Sequence, residues 1–158
     1  MTSPVASHEA RLEFTLHAKP PLVWRALVKD TTAWWPQTYY TSPKTRRFVL
    51  EAKLGGMMGE ITGPGEGLVW YRVIGVEKPS SLLLAGYLLP PWAGPATSML
   101  RLTLTAQGKG ETKLELIEYT FGVIGDCNSI DGWRDLFGGH FVPHVNSAMR
   151  SAKRRGKA

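Results

Sequence analysis

Three side chains in the sequence have the residue types and spacing to exchange protons: His140, His144 and Glu118. The histidines are four residues apart in a segment with helical periodicity, which places them on one side of a helix. Glu118 shares strand parity with Leu114 and Leu116, which predicts that its side chain points inward. A carboxylate beside an imidazole is an acid/base pair of the kind that enzymes use. The alternatives are a structural hydrogen bond, or a strand bulge that turns Glu118 outward.

A metal site is not expected from these residues. Two histidines at helical spacing can both bind zinc, but no third ligand of suitable reach is evident, and Pro143 disturbs the geometry between them. The glycine clusters match neither phosphate-binding fingerprint and are typical of hairpin turns. The single cysteine, Cys127, has no recognisable histidine partner nearby, so we interpret it as an inert thiol. We therefore expect no metal and no cofactor.

Aromatic side chains are abundant, with six tryptophans and five tyrosines. Such residues suit the lining of a ligand cavity, because they supply large rigid area with an occasional polar group. Ordinary core packing is the competing interpretation, for Trp24 and Trp133 in particular. The residues predicted to bind a ligand are Trp34, Trp35, Tyr39, Tyr40, Trp70, Tyr87, Trp92, Trp133, Phe137, His140, Phe141 and His144.

The elements that must position these residues follow from periodicity and turn signals. From Arg11 to His17 apolar and polar residues alternate, which predicts a half-buried strand. Pro20 and Pro21 then open a short helix, since amides of a first helical turn lack intrahelical partners. A second short helical turn is expected around residues 31–35.

The rest of the chain divides into a strand region and a closing helix. From Arg46 to about Glu118, short alternating segments separated by Gly/Pro turns indicate an antiparallel meander. Residues 129–152 have the pattern of a long helix. Gly138-Gly139 and Pro143 predict a weakened, bent middle in that helix. The Pro-rich stretch 88–96 is interpreted either as a lid over a cavity mouth or as a rigid connection.

This order of elements resembles the helix-grip fold, an α+β architecture in which a curved antiparallel sheet of about seven strands wraps a long C-terminal helix. Five motifs carry a closer resemblance: Phe14-Thr15-Leu16 with 19–27, Trp34-Trp35, Leu54-Gly55-Gly56, Val73 to Pro79, and Gly132-Trp133. Over about residues 10–150 they are similar to the activator-of-heat-shock-ATPase-like branch of the START-related SRPBCC superfamily. The resemblance implies a pocket between sheet and helix, and a superfamily that includes lipid and sterol carriers and polyketide cyclases.

Length and composition fit one domain of ordinary globular type, with 158 residues of which 43% are hydrophobic. We divide the chain into a flexible leader at 1–7, one helix-grip (START-like) domain at 8–152 and a basic tail at 153–158. The tail carries four of the charges behind the net charge of +6, so no strong nucleic-acid footprint remains elsewhere. Without a visible signal peptide or an apolar run of membrane-spanning length, we expect a cytoplasmic protein.

Three functions remain open at this point. The first is binding of a small, largely apolar or aromatic ligand, such as a lipid, in an internal cavity. The second is an enzyme of the polyketide cyclase or dehydratase kind, with His144, His140 and Glu118 as acid/base groups. The third is a protein-interaction module like the co-chaperone relatives, although those carry an additional N-terminal domain. A homodimer through a strand edge or the mouth region is compatible with all three.

Overall fold

The protein forms one seven-stranded antiparallel sheet closed on one face by helices, as a computed structural model that describes residues 4–92, 94–125 and 129–157. The strand order is β1-β7-β6-β5-β4-β3-β2. Strands β2 to β7 thus form an antiparallel meander, and β1 pairs with β7 at the edge of the sheet. This architecture confirms the predicted helix-grip fold. The strands are β1 (Val5–Leu16), β2 (Arg47–Leu50), β3 (Met57–Gly63), β4 (Glu66–Glu77), β5 (Ser81–Leu88), β6 (Ala96–Gln107) and β7 (Glu111–Val123).

The helices fall into two groups, one after β1 and one at the end of the chain. The second group is a continuous helix in three parts that covers the inner face of the sheet. None of the described helices has the length and apolar character needed to cross a membrane. The helices are α1 (Pro20–Lys29), α2 (Thr31–Trp34), α3 (Ser129–Trp133), a π-helical segment (Arg134–Phe141) and α4 (Val142–Arg155), with 3₁₀ turns at Gln37–Tyr39 and Pro90–Trp92.

Strand β1 begins earlier than the alternation predicts. Residues 5–7, expected in the leader, pair with Val123, Gly122 and Phe121 of β7. Residues 5–9 are exposed on both faces of the sheet, so no buried face imposes a period of two on their sequence. The extra pairing is held by backbone hydrogen bonds, which leave no signal in residue type.

The core lies between the inner face of the sheet and the helices. Leu82, Leu84, Leu100 and Leu114 are fully buried there and alternate with exposed or half-buried neighbours along their strands. Each leucine removed from water contributes about 1.5–3 kcal/mol as an upper estimate. The same inner face carries the polar and aromatic residues of the candidate site.

The closing helix changes its hydrogen-bond register where a weakened middle is predicted. The π-helical segment spans Arg134–Phe141 and contains Gly138-Gly139. A Cβ atom at Gly138 would lie 2.9 Å from Cε1 of Phe14, so the Phe14 ring of β1 would have to move for any larger residue here. Pro143 lies in the first turn of α4. The last turn of α4 contains Lys153, Arg154 and Arg155, residues that we expected in the tail.

Candidate ligand-binding site

Glu118 on β7 is buried, with 2% of the residue exposed, and four side chains donate hydrogen bonds to it. The hydroxyl of Ser98 on β6 lies 3.1 Å from Oε2, and Nε1 of Trp133 on α3 lies 2.8 Å from the same oxygen. Ser129 donates to Oε1 at 2.5 Å, and the Tyr71 hydroxyl on β4 donates to Oε2 at 3.4 Å. The predicted inward orientation of Glu118 is therefore confirmed, and this carboxylate fastens the start of the closing helix to the sheet.

Tyr71 belongs to the same polar group, because its hydroxyl lies 2.8 Å from Oγ of Ser98. Burial, followed by the negative charge of Glu118, raises the pKa of Tyr71 well above its ordinary value. The phenol is neutral at physiological pH and acts as a hydrogen-bond donor. Sequence reasoning missed both residues, although Ser98 has the strand parity of Leu100 and Leu102 and thus the signal of an inward side chain.

The two histidines do not join Glu118. Nε2 of His144 lies 3.0 Å from Oδ2 of Asp30, the residue between α1 and α2. Nε2 of His140 lies 3.6 Å from Oδ2 of Asp135, one helical turn earlier. Both histidine side chains are partly exposed, and each has its own carboxylate partner. The structure thus separates the three residues that we considered as an acid/base group.

A continuous aromatic cluster lies between the sheet and the closing helix. The ring centroid of Trp34 lies 4.9 Å from Phe141, 5.5 Å from Phe137 and 5.4 Å from Trp35. Trp35 stacks on Phe48 of β2 at 3.7 Å with an angle of 6° between the planes. Both phenylalanines of the helix are 0% exposed, and both tryptophans are below 4%. These predicted ligand-binding residues therefore pack against one another in the core.

The indole N–H groups of Trp34 and Trp35 have no hydrogen-bond partner among the described residues, although both are buried. The other indoles of the interior are satisfied, since Trp133 donates to Glu118 and Trp70 donates to Glu60. An unpaired buried donor costs about 1–3 kcal/mol, and such groups are rare in native proteins. Two adjacent residues of the core thus each carry a donor without a protein acceptor.

A second buried carboxylate, Glu60 on β3, is 0% exposed. Both of its oxygens accept from the backbone N–H of Thr41, at 3.0 and 3.1 Å. Thr45 Oγ1 donates at 2.5 Å, and Trp70 Nε1 donates at 2.9 Å. Glu60 ties the loop after α2 to the sheet and orients Trp70 toward Trp35. Sequence reasoning gave Glu60 no role, although it has the strand parity of the buried Met58.

The predicted tyrosines and Trp92 lie outside the interior. Tyr39 and Tyr40 are half-buried at the edge of the core, and the Tyr39 hydroxyl donates to Asp135 at 2.9 Å. Tyr87 is 79% exposed and lies on the outer face of the sheet, because it alternates with buried residues of β5. Its assignment to a cavity lining is corrected on that ground. Trp92 is largely exposed in the 3₁₀ turn that joins β5 to β6.

Among the described residues, no three His, Cys, Asp or Glu side chains lie close enough to hold a metal ion. Cys127, predicted to be an inert thiol, lies outside the described residues. The polar chemistry that the described interior offers is therefore hydrogen bonding by hydroxyls, indoles and two carboxylates.

Solved structures of other proteins share this fold. They include Ara h 8.0201 (14% identity, 92% of this chain and 99% of that chain covered, TM-score 0.61). An HSP90 activator from Plasmodium falciparum matches at 12% identity over 89% and 95% of the chains, with a TM-score of 0.57. The anthrahydroquino-γ-pyrone synthase Txn09 matches at 20% identity over 70% and 75%, with a TM-score of 0.50. At these identities the likeness shows the fold alone, and it agrees with the predicted helix-grip fold. No protein-family model and no curated protein matches the sequence.

Proposed function

We propose that this domain binds a small, largely apolar or aromatic molecule within the aromatic cluster between sheet and closing helix. The observation that carries the proposal is the pair of unpartnered indole N–H groups of Trp34 and Trp35. A ligand that fits them carries an oxygen acceptor, such as a carbonyl or a phenolic oxygen, on an apolar body. Its rings pack against Phe137 and Phe141, the helical side of the cluster.

We infer that the ligand enters through the helical backbone beside the cluster. Phe137 and Phe141 both lie on the π-helical segment, next to Gly138-Gly139. π-helical turns are rare and occur often at functional sites. We infer that a shift of register in this segment moves the two phenylalanines and makes room beside Trp34. Binding then selects an open state that the free protein populates weakly.

The shared fold supports the ligand class only by analogy. One neighbour is named for the synthesis of an anthrahydroquino-γ-pyrone, an aromatic compound that carries oxygen acceptors. The geometry does not favour the enzyme alternative, because His140 and His144 each contact an aspartate rather than Glu118. We therefore propose binding without chemical change.

The first test is native mass spectrometry of freshly purified protein, followed by identification of any released compound. A stoichiometric aromatic or apolar compound with an oxygen acceptor supports the proposal. The second test is calorimetric titration with naphthol and with naphthalene, which differ only in the oxygen. We expect Trp34→Phe or Trp35→Phe to weaken naphthol binding about fivefold, the value of one hydrogen bond, and to leave naphthalene binding unchanged.

Trp24→Phe is the matched control, since Trp24 lies on α1 outside the Trp34–Trp35 pair. Equal loss in the control and in the two variants would show a general effect of replacing a tryptophan, not a role of the unpaired N–H groups. Absence of saturable binding for either probe and of any co-purified compound would assign the two N–H groups to buried water and overturn the proposal.

A further inference from the structure

A groove on the molecular surface, distinct from the aromatic cluster, runs between α1 and the segment after β2. Its volume is about 480 Å³, which lies in the range of ligand and peptide-anchor pockets. It opens at the end of the sheet where β4 turns into β5. The lining residues are Trp24, Arg25, Val28, Lys29, Leu50, Glu51, Ala52, Lys53 and Lys78.

The floor of the groove is apolar. Leu50 and Ala52 are buried, and Trp24 and Val28 are half-buried beside them. Because Trp24 and Val28 are four residues apart on α1, they lie in one row along the groove. The floor thus offers an elongated apolar strip, which suits a chain-like occupant.

The rim of the groove is basic. Arg25 and Lys29, also four residues apart, form a second row on α1, and Lys53 and Lys78 line the other elements. Glu51 is the one acidic lining residue, and it lies 4.0 Å from Lys53. Within the described ranges no ion pair involves the other three cations of the rim, Arg25, Lys29 and Lys78. Their unbalanced charge attracts anions to the groove.

Further cations lie near the end of α4. The backbone N–H of His17 at the end of β1 donates to Oδ1 of Asn146 on α4 at 3.0 Å. From there α4 continues past the sheet to its last turn, which contains Lys153, Arg154 and Arg155.

We infer that this groove docks an acidic peptide segment of a partner protein, in which carboxylates alternate with apolar residues. The carboxylates match the Arg25, Lys29 and Lys78 rim, and the apolar residues match the Trp24 and Val28 floor. A flat bilayer cannot reach a concave floor, and a nucleic acid brings no apolar side chain to it. The site is separate from the proposed cavity, so each can fail without the other.

The test is fluorescence anisotropy with a short fluorescein-labelled peptide in which glutamate alternates with leucine. Two further probes isolate the contributions: lysine replaces glutamate in one, and serine replaces leucine in the other. The groove variant is Lys29→Glu with Lys78→Glu, both exposed residues without an ion pair within the described ranges. The control is Lys44→Glu with Lys109→Glu, which changes the net charge equally at exposed positions outside the groove.

We expect saturable binding of the glutamate–leucine peptide that weakens about tenfold in the groove variant and less than about twofold in the control. Both other probes are expected to bind more weakly than the first. Equal weakening in groove and control variants would overturn the inference in favour of non-specific attraction. Displacement of the peptide by phosphatidylserine vesicles or by duplex DNA, at lower concentration than unlabelled peptide, would overturn it in favour of those partners.

Discussion

The two buried glutamates meet the same physical problem with different partners. Burying a carboxylate costs several kcal/mol unless donors replace the water that it loses. Glu60 receives a backbone N–H and a hydroxyl from the loop that it fastens, together with the Trp70 indole. Glu118 receives only side chains, from β4, β6 and α3. Backbone donors are fixed once the loop folds, whereas hydroxyls rotate to new acceptors.

This difference assigns the two centres separate roles. The hydrogen bonds of Glu60 fix residues 41–45 against the sheet and also orient Trp70 beside Trp35. The Glu118 centre holds α3, and α3 continues into the π-helical segment that covers the aromatic cluster. We therefore expect changes at Glu60 to reduce global stability and changes at Glu118 to loosen the closing helix and ligand access.

The largest expected effect is the loss of stability when either carboxylate is removed. Glu60→Ala leaves the Thr41 N–H and the Trp70 indole unpaired and opens a cavity, so the free energy of unfolding falls by about 3–4 kcal/mol. Glu118→Ala lowers it by about 2 kcal/mol, because the hydroxyls of Ser98 and Ser129 find other acceptors. Urea unfolding measures both values. The control is Glu66→Ala at an exposed position of β4, with a change below about 0.5 kcal/mol. A larger loss of unfolding free energy in Glu118→Ala than in Glu60→Ala would reverse the roles that we assign to the two carboxylates.

The next prediction concerns where the molecule loosens. Glu118→Gln keeps the shape but presents an amide N–H₂ to donors, so the contacts to Ser129 and Trp133 weaken. We expect backbone amides of α3 and of the π-helical segment to exchange hydrogen about tenfold faster, by local opening. The matched variant Glu60→Gln leaves that exchange unchanged. Uniformly faster exchange across the sheet in Glu118→Gln would contradict a local role for this centre.

The sequence predicted the inward orientation of Glu118 correctly but did not predict its hydrogen-bond partners. Alternation with Leu114 and Leu116 is enough to turn Glu118 inward, since strand geometry fixes successive side chains to opposite faces. Which side chain lies opposite depends on the docking of α3 over β4 and β6, and no local pattern encodes that. The element order of the fold was predictable, because turn signals and periodicity agree along the chain. The start of β1, the π-helical register and the extension of α4 into the expected tail were not predicted.

The histidines show a second physical reason for failure. Their placement assumed 100° of rotation per residue through the closing helix. Over Arg134–Phe141 the helix is π-helical, and its wider turn changes the angle between residues before and after it. His140 contacts Asp135 and His144 contacts Asp30. Gly138-Gly139 signals a weakened helix, but it does not specify the new register.

A smaller effect separates the two centres at high pH. The pKa of Tyr71 is raised in the folded state, first by burial and then by Glu118, so its contribution to stability is complete below about pH 10 and is lost as the pH rises toward the folded pKa. The slope reaches up to about 1.4 kcal/mol per pH unit. Tyr71→Phe removes this loss. Tyr40, raised by burial and by Glu60 but far more exposed, contributes less, so Tyr40→Phe retains most of the slope. Equal slopes in both variants would contradict the difference in burial.

The smallest expected effect is the coupling between donors of one centre. The Tyr71 and Ser98 hydroxyls lie within hydrogen-bond distance of each other and of Glu118, so the losses of Tyr71→Phe and Ser98→Ala should not add. We expect about 1 kcal/mol for each single change and a coupling energy of at least about 0.5 kcal/mol in the double variant, by urea unfolding. The matched cycle pairs Tyr71→Phe with Thr45→Val at Glu60, where no partner is shared and the losses add. Additive losses in the first cycle would mean that the donors to Glu118 act independently of one another. That result would contradict the shared, rotatable hydroxyl contacts that we assign to this centre.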